Sequence, residues 1–222
     1  PHQMPPLKNR AKDLKPSIFR MINEELYTQP SEQSAAKFRK EPELFKVYHE
    51  GYQLQVAQWP LKPFDVTSSF VKRLPDDSLI ADVGCGEAQL ARSFPQLKIT
   101  SFDIGCTPDL KQLITIANMT KLPVENERFD ALIYSLSIMP TDQAKVLNEA
   151  HRVLKQGGRL FIVEVKSRTK DVNGFAHQVE KFGFKLLNQK QHDFFFEVEL
   201  EKTGKGKGEN KQLLEPCIYK KR

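Results

Sequence analysis

Apolar residues keep a helical spacing through the first part of the chain and then abandon it. After Pro16, the residues Ile18, Met21, Ile22 and Leu26 fall on one stripe. After Pro42, so do Leu44, Val47, Tyr48, Tyr52, Val56 and Trp59. Amphipathic helices of this kind need a body to pack on. Beyond Pro60–Pro63 the pattern becomes short runs of Ile, Leu, Val and Phe at 79–83, 99–104, 113–116, 131–134 and 160–165. Runs without alternation predict parallel strands buried on both faces. A helix is predicted over 144–154, with Val146, Leu147, Ala150, Val153 and Leu154 on one side, ended by Gly157-Gly158.

Strand alternating with helix predicts an α/β, Rossmann-like, mostly parallel sheet. Two links depart from full crossovers. "GCTPDLKQ" leaves room for only a stub of helix, and the polar "MTKLPVENERFD" with Pro123 reads as an irregular loop. Loops at the carboxyl ends of such strands are where ligands sit. Towards the C-terminus, Phe196, Val198 and Leu200 alternate with Glu197, Glu199 and Glu201, a half-buried antiparallel strand near the sheet edge. "FKLL" is extended as well, and "CIYKKR" is a candidate for a further short strand. The expected organisation is an N-terminal basic segment and helical cap over 1–62, followed by a sheet domain over 63–222.

The strand at 79–83 runs into "DVGCGEAQ". A dinucleotide turn asks for G-x-G-x-x-G/A, and Gln89 stands where the small third residue belongs. An acidic residue two before G-x-G is instead the first motif of S-adenosylmethionine-dependent methyltransferases. Glycine there lets the backbone approach the cofactor because it lacks a Cβ. Asp103, ending the next strand, is placed to accept hydrogen bonds from both ribose hydroxyls. That placement serves a nicotinamide cofactor equally, so alone it specifies only an adenosine ribose. "LKQGG" followed by a strand adds weight to the methyltransferase reading.

Composition narrows the class. With 39% hydrophobic and 28% charged residues, the 222-residue chain has the balance of a globular protein, long enough for one core. There is no apolar run long enough to span a bilayer, and the polar N-terminus predicts no signal peptide. The chain opens on Pro1 rather than methionine, which leaves room for sequence upstream. Cys85, Cys106 and Cys217 lie far apart without metal-ligand spacing, so no zinc site or disulfide is expected, and a reducing compartment is. The net charge of +6 is concentrated at the ends: Lys8, Arg10, Lys12, Lys15 and Arg20, then Lys202, Lys205, Lys207, Lys211, Lys220, Lys221 and Arg222. Such ends attract RNA or DNA, but solubilising tails look the same, and charge does not choose between them.

Taken together, "VYHEGYQLQVAQWPLKP", "IADVGCGEAQLA", "SFDI", "NMTKLP", "SLSIM", "EAHRVLKQGGRLFIVEV", "FGFK" and "EPCIYKKR" resemble the ribosomal RNA-processing protein 8 (nucleomethylin) family from about Pro16 onward. The resemblance implies a methyltransferase fold with a helical cap and S-adenosylmethionine as cofactor. It also implies N1-methylation of an adenosine in large-subunit ribosomal RNA, in the nucleolus. Ribosomal RNA and pre-ribosomal particles would be partners, beside nucleolar or chromatin proteins, with no membrane and no metal.

By the same resemblance, Gly84 is the cofactor glycine, Asp103 the ribose carboxylate, and His49 a cap histidine closing over the cofactor. Asn118 and Met119 match an Asp-Met pair flanking the adenine. The amide at 118 keeps a carbonyl acceptor but cannot act as a carboxylate. Ser135 falls where the family can have cysteine, with its backbone expected to matter. Ser135-Leu136-Ser137-Ile138-Met139-Pro140 is not the Asn/Asp-Pro-Pro-aromatic motif of exocyclic-amine methylation. Tyr48 and Tyr52 are candidate stacking partners for a base. No general base is named. A methyltransferase acting on protein or small molecules, and a cofactor-binding adaptor, are the competing readings.

Overall fold

The computed structural model describes residues 7–206, 208 and 212–217, with side chains from Ser17 onward. Seven strands form one sheet, β1 (Leu79–Val83), β2 (Lys98–Asp103), β3 (Ile114–Ile116), β4 (Phe129–Ser135), β5 (Leu154–Val165), β6 (Phe184–Gln191) and β7 (Phe195–Lys202). Their order is β3-β2-β1-β4-β5-β7-β6. Strands β1 to β5 are parallel, and β7 lies antiparallel between β5 and β6. The chain steps outward to β2 and β3, then returns to place β4 against the far side of β1. That reversal opens a crevice at the carboxyl ends of β1 and β4.

Burial explains the near-continuous apolar runs. On one face Ala81, Leu132, Leu160 and Ile162 pack against α6 (Gln143–Val153) and α7 (Val172–Glu180). On the other, Ile80, Ile133, Phe161 and Val163 meet α4 (Pro63–Val71) and α5 (Gln89–Ser93). β7 keeps the predicted alternation, with Phe196, Val198 and Leu200 buried and the intervening glutamates half-buried.

Three helices precede α4: α1 (Leu7–Thr28), α2 (Ser31–Lys40) and α3 (Glu43–Val56). They form a separate apolar cluster in which Phe19, Ile22, Leu26, Phe38, Phe45 and Tyr48 are buried. Met139 from the loop after β4 belongs to the same cluster, so the cap sits on the carboxyl edge of the sheet.

Several expectations need correction. α1 begins at Leu7 and runs through Pro16, forgoing one ladder hydrogen bond there, instead of starting at the proline. α6 stops at Val153 and Leu154 already belongs to β5, so Gly157-Gly158 does not cap it. The pair sits in a bulge, where the register jumps from Phe129↔Leu154 to Ala131↔Arg159 and Gly157 takes φ +76°. Lys202 is no free basic residue: it is buried and donates to the Leu154 carbonyl at 2.8 Å and to Glu127 at 3.2 Å. The stub link is a single 3₁₀ turn at Pro108–Leu110, and the segment from Ala117 to Arg128 is irregular, both as expected. Of "CIYKKR", Cys217 is not in a strand and the rest lies outside the described residues. So do Lys207, Lys211, Lys220, Lys221 and Arg222, while Lys8, Arg10, Lys12 and Lys15 fall where only the backbone of α1 is described. No described helix is long and apolar enough to cross a membrane.

One buried ion pair fastens the cap side to the sheet. Arg168 Nη1 lies 2.9 Å from Glu164 Oε2, both side chains fully buried. The same guanidinium donates to the carbonyls of Ile138 at 2.7 Å and Glu215 at 2.9 Å, and sits 4.5 Å from the Tyr27 ring centre. Glu164 in turn accepts from the Ile138 N–H at 3.1 Å. Removing one partner strands the other charge. Arg168→Met is therefore expected to cost about 3–5 kcal/mol, and adding Glu164→Gln should recover part of it. Chemical denaturation of both variants checks this, and a double variant no more stable than the single would contradict it.

Candidate active site

The glycine turn is built by close approach. Gly84 and Gly86 take φ +73° and +57°, and the N–H groups of Gly84 and Cys85 both donate to the Phe102 carbonyl. This anchors the turn to β2. A Cβ on Gly84 would come within 2.3 Å of the Ser137 Cβ, and one on Gly86 within 2.9 Å of the His49 ring. Both positions thus need glycine for conformation and for space. Ser137 Oγ donates to the Val83 carbonyl at 2.7 Å, locking the β4 loop over the end of β1.

A cavity lies between this turn, the carboxyl ends of β1, β2 and β4, and the inner face of the cap. Helix α3 contributes Phe45, Tyr48, His49, Tyr52 and Gln53 at helical spacing. Among the described residues, the charged side chains in the wall are Asp82, Glu87 and Asp103, with no Lys or Arg. Burial, then the charge of Asp103, pushes Asp82 up to about 7. Burial pushes Asp103 up to about 7 as well, against N–H groups that stabilise its charged form. Gly86 N–H donates to Asp103 Oδ2 at 2.8 Å and Ile104 N–H to Oδ1 at 2.7 Å. Each oxygen keeps a lone pair for a ligand hydroxyl.

His49 is the cap's contact with the turn. Its Nδ1 is 2.9 Å from the Phe45 carbonyl, so Nδ1 carries the proton and Nε2 is the acceptor on the Gly86 side. Burial lowers its pKa to about 4, so the ring is neutral at pH 7. Tyr48 also lines the cavity, but its ring is stacked on Phe19 and its hydroxyl donates to Asn23. Burial, followed by the charges of Glu164 and Asp82, pushes the Tyr52 hydroxyl well above the usual phenol range.

Of the residues expected from the sequence, His49, Gly84, Asp103, Met119 and Ser135 all line this cavity. Asn118 does not. Its amide donates to Glu32 on α2 at 3.1 Å, and its carbonyl accepts from Thr120 N–H and Oγ at 3.0 and 2.9 Å. The acceptor offered to an adenine amino group is therefore already engaged. Met119 packs into the core beneath the sheet as well as facing the cavity, so packing and lining hold together.

Several wall residues escaped sequence reasoning, Phe38 on α2 and Phe64 and Thr67 on α4, whereas Leu136 and Ser137 belong to the loop after β4 that the sequence singles out. Leu136 takes φ +56°, a strained conformation that a leucine does not advertise. Among the described residues no group of His, Cys, Asp and Glu is placed to hold a metal ion.

The family model described as "Hypothetical methyltransferase" matches residues 6–222. A mouse protein named ribosomal RNA-processing protein 8 is 39% identical over 210 residues, covering 92% of this chain and 45% of that protein. A Schizosaccharomyces pombe protein named 25S rRNA (adenine(645)-N(1))-methyltransferase is 36% identical over 233 residues, covering 97% of the chain and 72% of that protein. The chain spans about half the length of the first curated relatives it matches. Among solved structures, a Burkholderia thailandensis 1,6-didemethyltoxoflavin-N1-methyltransferase with bound S-adenosylhomocysteine superposes with a TM-score of 0.61 at 16% identity, over 78% of this chain and 90% of that one. A TehB-like methyltransferase from Corynebacterium glutamicum gives 0.56 at 17% identity, over 73% and 100%. At that identity the likeness is one of fold.

Two outcomes test the geometry. Gly86→Ala should destabilise the protein, and His49→Ala in the same chain should relieve the clash, leaving backbone strain of about 1–2 kcal/mol. Full recovery, or none, in thermal melts would contradict the contact. Secondly, an unfolded histidine takes up its proton near pH 6.5, whereas folded His49 waits until about 4. Stability from its buried neutral form is therefore present above pH 6.5 and lost as pH falls towards 4. His49→Gln should flatten that part of the acid-stability curve.

Proposed function

The chain belongs to the ribosomal RNA-processing protein 8 family of methyltransferases, and on that premise we propose that it transfers a methyl group from S-adenosylmethionine to N1 of an adenosine in large-subunit ribosomal RNA. One observation carries the cofactor half of this reading: the described residues of the cavity wall include Asp82, Glu87 and Asp103 and no Lys or Arg. Such a wall repels the pyrophosphate of a dinucleotide and suits a ligand bearing a sulfonium and an ammonium group. The residues fit that ligand in other ways. Gly84 and Gly86 give it backbone to lie against, and Asp103 has lone pairs for two ribose hydroxyls. His49 Nε2 offers a neutral acceptor from above. Met119 and Ser135 complete the wall, with Asn118 behind it as a brace between the loop and α2. The adenine half rests on the Schizosaccharomyces pombe relative.

When bound, S-adenosylmethionine supplies an electrophilic methyl carbon on a positive sulfur. Adenine N1 has a free lone pair at neutral pH, so the protein has no proton to remove and needs no general base. The work left to the chain is alignment and exclusion of water. The positive charge, on sulfur before transfer and on the base after it, would face Asp82, Glu87 and Asp103. Those carboxylates, with no Lys or Arg among the described wall residues, would favour that charge throughout. The N-terminal unit, bounded at 1–62, closes the cavity through α1, α2 and α3 over the methyltransferase domain bounded at 63–222. Because N1 sits on the pairing edge, the adenine must be unpaired or extruded, which brings the base inside and leaves its phosphates outside. Ribosome biogenesis, pre-ribosomal particles as partners, and action in the nucleus and nucleolus follow from this substrate.

Calorimetry with S-adenosylmethionine, then transfer of a tritiated methyl group to ribosomal RNA and to histones, tests the proposal. Labelled RNA yielding N1-methyladenosine on digestion is the expected result; label on histones alone, or undiminished transfer to RNA already methylated at the target N1, would overturn it. Asp103→Asn should weaken cofactor binding about ten-fold or more, as expected when charge-assisted hydrogen bonds are lost. Wild-type affinity should fall as pH drops through 7, where Asp82 and Asp103 take up protons.

A further inference from the structure

Outside the cavity, one feature of the surface runs against ordinary turn chemistry. β6 and β7 are joined by a two-residue turn, Asp193-Phe194, closed by His192 N–H donating to the Phe195 carbonyl at 2.8 Å. Such positions favour small polar residues and glycine. Here a phenylalanine stands at the tip, 46% exposed, the sole aromatic among the large exposed apolar residues described. It is not loose. Its ring lies flat on Trp59, with centroids 5.4 Å apart and planes 8° from parallel. Trp59 is also stacked near Phe195, at 6.0 Å and 21°, and Phe195 is buried. The three rings form a ladder whose inner rung is fixed in the core and whose outer rung, Phe194, is open to solvent.

The ladder stands beside the cavity. Trp59 and Phe195 share an apolar cluster with Phe64 and Leu136, and those two line the cavity wall. The Phe194 carbonyl accepts from Lys166 N–H at 2.9 Å, which places the turn at the carboxyl end of β5. Lys166, at that hydrogen bond, is exposed, as is Lys62, three residues beyond Trp59 in the chain; the one carboxylate in the turn is Asp193. A flat apolar face with exposed lysines on the neighbouring segments matches an unstacked nucleobase with its phosphate.

We propose that Phe194, backed by Trp59, is a stacking platform for an unpaired nucleobase of the RNA substrate next to the adenine that enters the cavity. This rests on the RNA methyltransferase reading above. It adds to that reading a contact that holds the strand while the target base is extruded, and Phe194 acts there as a positioning residue.

Trp59 is the only tryptophan, so the protein carries its own reporter. Titrating the chain with a short single-stranded oligoribonucleotide should quench its fluorescence. Phe194→Ala should weaken binding by roughly ten-fold, the size of one lost base–aromatic stack, with cofactor affinity and melting temperature unchanged. Phe194→Tyr and Phe194→Trp should bind like wild type. An oligonucleotide with abasic sites should bind more weakly to wild type, and Phe194→Ala should make no further difference to it. Phe194→Ala that binds RNA as tightly as wild type would overturn the platform, as would one that loses base-bearing and abasic strands equally. The second result would point to a protein partner on this face. If wild type still methylates ribosomal RNA in either case, only the platform fails. If wild type neither binds nor methylates RNA, the functional reading fails first.

Discussion

The buried pair of Glu164 and Arg168 is the constraint on which the site depends. Two charges taken wholly out of water are costly, and their attraction compensates only when the remaining polar atoms are also used. Here all but Arg168 Nη2 are used, and the pair touches four segments at once: the end of β5, the Ile138 loop, the C-terminal segment at Glu215 and the cap at Tyr27. Holding Ile138 by both its N–H and its carbonyl fixes the loop that carries Ser137, Met139 and Pro140 into the cavity wall. An apolar pair of equal volume could fill the same space. It could not specify which loop backbone goes where.

The cap then meets the turn with almost no tolerance. His49 rests on Gly86, Phe45 comes within 2.9 Å of a Cβ built on Gly105, and Ser137 covers Gly84. On the other side, Ser31 binds Asp142 through both its N–H and its hydroxyl, and Thr141 N–H donates to the Gln29 carbonyl. The cap is thus fitted by shape over the glycines and fastened by hydrogen bonds beyond β4. The inner face of α3 is thereby held in a fixed position over the cavity.

Much of the fold was legible because sheet burial and helix amphipathicity write themselves into spacing. The five parallel strands and β7 were readable in this way. The short helices α2, α4, α5 and α7 were not, since five to ten residues show too little period to separate from loop. Glycines misled once: Gly157-Gly158 look like a helix cap, and only the register of β4 against β5 reveals a bulge. At the site, Gly84 and Asp103 announce themselves by motif, whereas His49 was reached through resemblance. The engagement of Asn118 by Glu32 and Thr120 depends on where α2 lies, which no local pattern encodes.

The electrostatic contrast between the inside and the outside of the cavity does what the glycine motif could not. G-x-G and a following carboxylate admit either a nicotinamide or a sulfonium cofactor. A dinucleotide site, however, must accommodate two negative phosphates, and this wall offers them Asp82, Glu87 and Asp103 with a neutral histidine above. The same wall would repel an RNA backbone. A nucleic-acid substrate can therefore enter only as a base, with its phosphates kept at the rim. That division places a demand on the rim, where something must grip the strand without drawing its charge inward. Flat aromatic rings meet that demand, because stacking needs no charge and no sequence.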